Sequence, residues 1–193
     1  MRRFCLFVLA CILLGTSACR NRNQVAPVPQ TPEVAVEDTL VADENGYLVR
    51  VGDVAPDFTV KLTDGYSVNL ADQRGKVVML QFTASWCGIC RQEMPHIEQQ
   101  IWQRHKDNPN FVLLGIDRDE PVEKVLQLAE STGVTYPLAL DPGADVFAKY
   151  ALRSAGITRN VLIDKDGKIV MLTRLFKEEE FAKLVATIDE MLK

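Results

Sequence analysis

Two periodicities alternate along residues 47–193. Phe58–Leu62 and Ser67–Leu70 put apolar residues at alternate positions on either side of Thr63-Asp64-Gly65, whose turn chemistry predicts a hairpin. Val77–Thr83 is a nearly unbroken β-prone run, the pattern of a strand buried on both faces. Met94, Ile97, Ile101 and Trp102 then draw one apolar stripe down a helix that Asn108-Pro109-Asn110 closes. A second buried strand, Phe111–Ile116, leads through the start signals Asp119, Glu120 and Pro121 into a helix striped by Val122, Val125, Leu126 and Ala129. Tyr136–Leu140 predicts a short strand and Ala144–Tyr150 a short helix. Asn160–Ile163 and Lys168–Leu172 form a hairpin about Asp166-Gly167. Phe181, Leu184, Val185, Ile188 and Leu192 mark a closing helix with three glutamates at its positive end. The order β-β-β-α-β-α-β-α-β-β-α predicts an α/β domain: a mixed central sheet with helices on both faces, without internal repeat or second core.

Residues 1–18 follow a different rule. Met1-Arg2-Arg3 is positive, Phe4–Leu14 is apolar almost throughout, and Gly15-Thr16-Ser17-Ala18 are small or polar, the pattern of an export signal. The run is too short to span a bilayer and lacks the polar positions of an amphipathic core helix. Ser17-Ala18 before Cys19 resembles the lipobox of bacterial lipoproteins, which implies acylation of Cys19 and a periplasm-facing lipid anchor in a bacterial cell envelope. Thr16 stands where that motif usually has leucine, so a secreted, unlipidated product is the alternative. Residues 19–46 carry Pro27, Pro29, Pro32 and a series of acids without hydrophobic period, which predicts a flexible tether reaching on the order of 30 Å. The folded domain is expected over 47–193.

Composition narrows the function. The chain has 193 residues, 47% apolar and 25% charged, with a net charge of −4, which fits one globular domain and supplies no basic field to gather nucleic acid. Its five cysteines are Cys5, Cys11, Cys19, Cys87 and Cys90. Signal cleavage removes the first two and acylation occupies the third. Cys87 and Cys90 remain, and in an oxidising compartment such a pair is a structural disulfide or a redox centre.

Cys87-Gly88-Ile89-Cys90 directly follows a buried strand and opens a helix. Three-residue spacing brings both thiols to one face, within exchange distance. Cys87 at the first turn would meet unpaired N–H groups and the positive end of the helix dipole, which favour its thiolate and mark it as the nucleophile; Cys90, a turn deeper, would resolve the mixed disulfide. A zinc site needs two further ligands, but there is no second CxxC, and His96 and His105 are not spaced to complete a tetrad. No metal or cofactor is predicted. An inert disulfide across so short a loop would constrain the unfolded chain only weakly.

The segment Phe82-Thr-Ala-Ser-Trp86-Cys87-Gly-Ile-Cys90-Arg-Gln-Glu93-Met-Pro95 resembles the active site of thioredoxin-like thiol-disulfide oxidoreductases of the membrane-tethered TlpA/ResA type. Gly52–Phe58 resembles the opening segment that this branch shares with peroxiredoxins, together called redoxins, and the likeness runs from Val51 to Lys193. It implies a thioredoxin-like fold with an N-terminal β-hairpin and a central αβ insertion. It also implies a monomeric enzyme that reduces protein disulfides and is recharged by a membrane thiol donor of DsbD type. Trp86 matches a tryptophan that shields the dithiol, although core packing would also place one there. Glu93 matches an acidic position that could assist proton transfer at Cys90, with a plain solvated helix position as the alternative. Pro95 matches a helix-kinking proline. Gln81 stands where thioredoxins proper carry a buried aspartate, and it cannot titrate.

Gly156–Asp164 aligns with the segment that carries this family's cis-proline, and puts Thr158 in its place. A cis bond before threonine costs roughly 2.5–4 kcal/mol, so a trans peptide is predicted. Loss of the proline predicts an open dithiol that could admit a soft metal such as Cu(I), which is the second functional reading. Peroxide reduction is the third and weaker one: Arg159 misses the peroxiredoxin arginine position by one, and the Pro-x-x-x-Thr-x-x-Cys segment is missing.

Overall fold

The computed structural model describes residues 41–193. The expected signal, Cys19 and residues 19–40 of the expected tether lie outside them. Among the described residues no helix is long and apolar enough to cross a membrane.

The strands are β1 (Thr59–Leu62), β2 (Ser67–Asn69), β3 (Val77–Thr83), β4 (Phe111–Arg118), β5 (Leu138–Asp141), β6 (Arg159–Ile163) and β7 (Ile169–Arg174). They form one mixed sheet in the order β2-β1-β5-β4-β3-β6-β7. β3 is central, parallel to β4 and antiparallel to β6, and all seven of its residues are buried, as its unbroken apolar run requires. The helices are α1 (Gly88–Ile97), α2 (Gln103–His105), α3 (Val122–Thr132), α4 (Phe147–Tyr150) and α5 (Glu178–Met191).

Alternation along β3 feeds two cores. Val77 and Met79 pack with Met94 and Ile97 of α1, Val125 and Leu128 of α3, and Leu184 and Ile188 of α5. Val78, Leu80 and Phe82 face the other side, where Phe82 meets Phe147 of α4 edge-on at 5.5 Å between ring centres. Helical cover is therefore unequal: three long helices lie on one face, and short α4 shares the other with the segment around Tyr47 and Val49. An Asp43–Gly46 turn leads into that segment, its Asp43 carboxylate accepting the N–H groups of Asn45 and Tyr47 at 2.9 and 2.7 Å.

Two details depart from the periodicity reading. Leu126 is half exposed, and Leu128 takes its place in the core with Val125. Helix α3 starts behind Pro121, and at 100° per residue positions three apart share the sheet-facing side while Leu126 rotates off it. Beyond Pro95, which cannot donate to the helical ladder, α1 passes through a π-helical stretch, Glu98–Trp102, before α2. Glu98 anchors that stretch by accepting the Thr135 N–H at 2.8 Å and its hydroxyl at 2.7 Å.

Gly115 in β4 is required by close approach: a Cβ there would sit 2.4 Å from Leu138 and 3.0 Å from the ring of Tyr136. Gly115→Ala is expected to destabilise the protein by about 1–3 kcal/mol in urea unfolding. A loss below about 0.5 kcal/mol would show that β5 yields without cost.

Candidate active site

Strand β3 ends at Thr83 and delivers Ala84-Ser85-Trp86 to the head of α1. Cys87 is the N-cap residue, with extended backbone (φ −89°, ψ 102°), and its Sγ accepts the Cys90 N–H at 3.2 Å. The sulfur thus fills the place a serine or aspartate oxygen usually takes at a helix start. Cys87 and Cys90 are joined in a disulfide, with Cα atoms 5.3 Å apart. Their environments differ: Cys87 keeps 8% of its surface open to solvent and Cys90 none. Trp86 (63% exposed) and Ile89 (38% exposed) form an apolar rim beside them. Such exposure rules out the core-packing alternative for Trp86.

Thr158 is buried, its peptide is trans, and its Oγ1 lies 3.2 Å from the sulfur of Cys87 and 3.2 Å from that of Cys90. The expected open dithiol is therefore corrected: both sulfurs are buried and in contact with the Thr158 hydroxyl. Among the described residues no group of three or more His, Cys, Asp or Glu is arranged to hold a metal ion. His105 Nε2 bonds Asp189 at 2.8 Å and His96 stacks against Phe176, both on the α5 side.

Below the disulfide runs a row of buried polar groups. Glu93, three residues after Cys90 and on the same helical face, is 1% exposed, which overturns the solvated alternative. Its Oε1 accepts Asn160 Nδ2 at 2.7 Å and its Oε2 accepts Gln81 Nε2 at 3.4 Å. Tyr136 donates its hydroxyl to Gln81 Oε1 at 2.6 Å, which turns the amide nitrogen toward Glu93. Asn160 also donates to Thr173 Oγ1 at 2.9 Å, and Tyr47 donates to the Thr173 carbonyl at 2.6 Å. Burial pushes the Glu93 carboxyl up to about 7; the Asn160 and Gln81 bonds pull it down, and the charge of Glu180 adds to the rise.

The approach to Cys87 is clamped from the connection between β4 and α3. Glu120 accepts both the N–H and the hydroxyl of Ser85 at 2.5 Å. Beside it Asp117, opposite Thr83 in the sheet, is buried with no hydrogen-bond partner within bonding distance among the described residues, and burial, followed by the neighbouring Glu120 carboxylate, pushes its carboxyl up to about 8. Arg159 is fully buried with its guanidinium 4.2 Å above the Tyr47 ring, its Nε donating to the Gly156 carbonyl and a terminal nitrogen to Asn45 O. These contacts tie Arg159 to the segment before β1, and no bond to either sulfur is among them. As site residues Asn160, Tyr136, Asp117 and Glu120 escaped the sequence reading, in which Asn160 and Tyr136 only opened strands and Glu120 was a helix start signal.

A Redoxin profile matches residues 50–190. The chain belongs to the Redoxin family. ResA of Bacillus thuringiensis (strain Al Hakam), a thiol-disulfide oxidoreductase, is 31% identical over 122 residues, 63% of this chain and 68% of ResA. The solution structure of a candidate protein disulfide isomerase from Bacteroides thetaiotaomicron is 73% identical, covers 76% of this chain and 92% of that one, and superposes with a TM-score of 0.75. A candidate thiol:disulfide interchange protein DsbE from Chlorobium tepidum is 28% identical, with 75% and 99% covered and a TM-score of 0.66. This redoxin has the thioredoxin-like fold and is a thiol-disulfide oxidoreductase with the CxxC pair Cys87–Cys90.

The raised Glu93 carboxyl has a stability signature. Between pH 4.5, its ordinary value, and about 7, the folded protein holds a proton that the unfolded chain releases. Its contribution is complete below that window and lost as pH rises through it. Glu93→Gln, which keeps an acceptor for Asn160, is expected to gain on the parent by up to about 3 kcal/mol between pH 4 and pH 8 in urea unfolding of the oxidised protein. A difference independent of pH would contradict the burial of an ionisable carboxyl.

Proposed function

We propose that this redoxin is an exported, membrane-tethered reductase of protein disulfides. The observation that carries the reading is the asymmetry of the two sulfurs, Cys87 at a helix N-cap with 8% of its surface open and Cys90 fully enclosed, one helical turn before the buried carboxyl of Glu93, whose pKa burial raises. In the reduced enzyme the Cys87 thiolate attacks one sulfur of a substrate disulfide. The Cys87–substrate bond forms as the substrate's own S–S bond breaks, and the leaving sulfur departs with the electron pair. Glu93 takes the proton from Cys90, directly or through water. The Cys90 thiolate then attacks Cys87 Sγ, closing the disulfide and releasing the second substrate sulfur as thiolate, so two electrons pass to the substrate. Recharging runs the same steps backwards, with Glu93 returning its proton to Cys90.

Protein disulfides suit the apolar rim of Trp86 and Ile89, and the relatives named for disulfide interchange support such substrates. A lipid on Cys19 and the expected tether, ending before the Asp43–Gly46 turn rather than at residue 46, would hold the domain off a membrane, where a thiol carrier of DsbD type would reduce it. Trp86 shields the dithiol from solvent on the open side.

Cys90→Ser cannot resolve its mixed disulfides, so it is expected to accumulate covalent protein adducts through Cys87, absent from Cys87→Ser, in non-reducing gels and mass spectrometry. The wild-type pair is expected to have a potential near that of thioredoxin, about −270 mV. A value near that of DsbA, about −120 mV, would make the protein an oxidant instead.

A further inference from the structure

The structure assigns Thr158 a catalytic role, in which its hydroxyl is the hydrogen-bond donor for whichever active-site sulfur carries negative charge during exchange. The inference rests on the disulfide-exchange chemistry above and adds a participant that touches both reacting atoms.

The geometry is that of a shared donor. Oγ1 lies 3.2 Å from each sulfur, whereas the backbone N–H of Cys90 serves Cys87 alone. Thr158 is held from behind: its carbonyl accepts the Leu175 N–H at 3.1 Å and Arg174 Nη1 at 3.3 Å. Arg174 reaches that carbonyl past Gly156, where a Cβ would lie 2.1 Å from a guanidinium nitrogen. The residue is 2% exposed and β-branched, so its side chain has little rotational freedom and water does not compete for its hydroxyl.

A hydroxyl has one proton to donate, so it serves one sulfur at a time. In the disulfide neither sulfur is charged and the shared position is neutral in effect. On reduction the Cys87 thiolate gains two donors, Cys90 N–H and Thr158 O–H. In the recharging half-reaction a donor thiolate bonds to Cys87 Sγ, the Cys87–Cys90 bond breaks, and Cys90 leaves with the electron pair. The hydroxyl then turns to Cys90 until Glu93 supplies a proton. Donors preorganised in a dry site act on developing charge without solvent rearrangement. Of the two species only the Cys87 thiolate belongs to the dithiol, and stabilising it shifts the equilibrium toward the dithiol; stabilising the Cys90 thiolate of the mixed disulfide speeds the exchange instead. A proline in this place could do neither. The ionisable groups around this corner are Glu93 below, Arg174 behind with Glu180, whose carboxylate accepts the Arg174 backbone N–H at 3.4 Å, and, on the Ser85 side of Cys87, Glu120 with Asp117.

The test compares Thr158→Val, Thr158→Ala and Thr158→Ser in the full chain. The readouts are the pH profile of Cys87 alkylation by iodoacetamide, the reduction potential against glutathione, and the rate of exchange with oxidised glutathione. Loss of the hydroxyl is expected to raise the apparent Cys87 pKa by about one unit, a ten-fold change. It is expected to shift the equilibrium about ten-fold toward the disulfide, about 30 mV more negative. Serine is expected to restore both. Alanine repeats the hydroxyl loss without valine's second methyl group and decides the matter should valine disturb the fold. Wild-type pKa and potential in either folded variant overturn the assignment while leaving the enzyme's chemistry intact. Glutathione exchange that survives Cys87→Ser would instead overturn the exchange reading beneath it.

Discussion

The hydrogen bond from the Cys90 N–H to the Cys87 sulfur is the contact on which the rest of the site depends. It makes a cysteine sulfur the N-cap of α1, so the atom that ends the helix is also the one proposed to react. A helix start leaves unpaired N–H groups whose partial positive charge favours an anion, and in the proposed chemistry that anion is the Cys87 thiolate. The sheet holds the cap in place: β3 is buried on both faces and paired on both sides, and Glu120 clamps Ser85 two residues before Cys87.

Beneath the cap the fold keeps polar groups where packing alone would favour hydrocarbon. Gly115 makes room for Tyr136, Tyr136 orients Gln81, and Gln81 with Asn160 holds a carboxyl under Cys90. Each bond partly offsets the cost of burying its neighbour, and none removes the rise in the Glu93 pKa. A fully solvated carboxylate would be too weak a base for a thiol, and a hydrocarbon would move no proton. Position 81 holds an amide, Gln81, which cannot titrate, and the carboxyl of this row, Glu93, comes from the helix.

The element order was legible because it depends on patterns within single segments: the unbroken run of β3, the Asp166-Gly167 turn and the apolar stripe of α5. Leu126 was misjudged because two adjacent apolar residues satisfy a helical stripe equally well until packing against the sheet decides which face is buried. Cys87 and Cys90 stood out since their chemistry is local, three residues apart. Glu93 was visible as a position but not as a buried one, because what covers it, Asn160 and Gln81, arrives from two other strands. Thr158 read as the loss of a proline; only the packing of β6 and β7 against the head of α1 brings its hydroxyl between the sulfurs.

The central claim is that the N-cap position makes Cys87 an acid stronger than an ordinary thiol. Titrating the thiolate absorbance of the reduced Cys90→Ala variant measures it directly, with Cys87 the only active-site thiol left. A pKa well below the free-cysteine value of about 8.5 is the predicted result. A value at or above about 8.5 would contradict the account, since the helix would then be doing nothing for the sulfur that caps it.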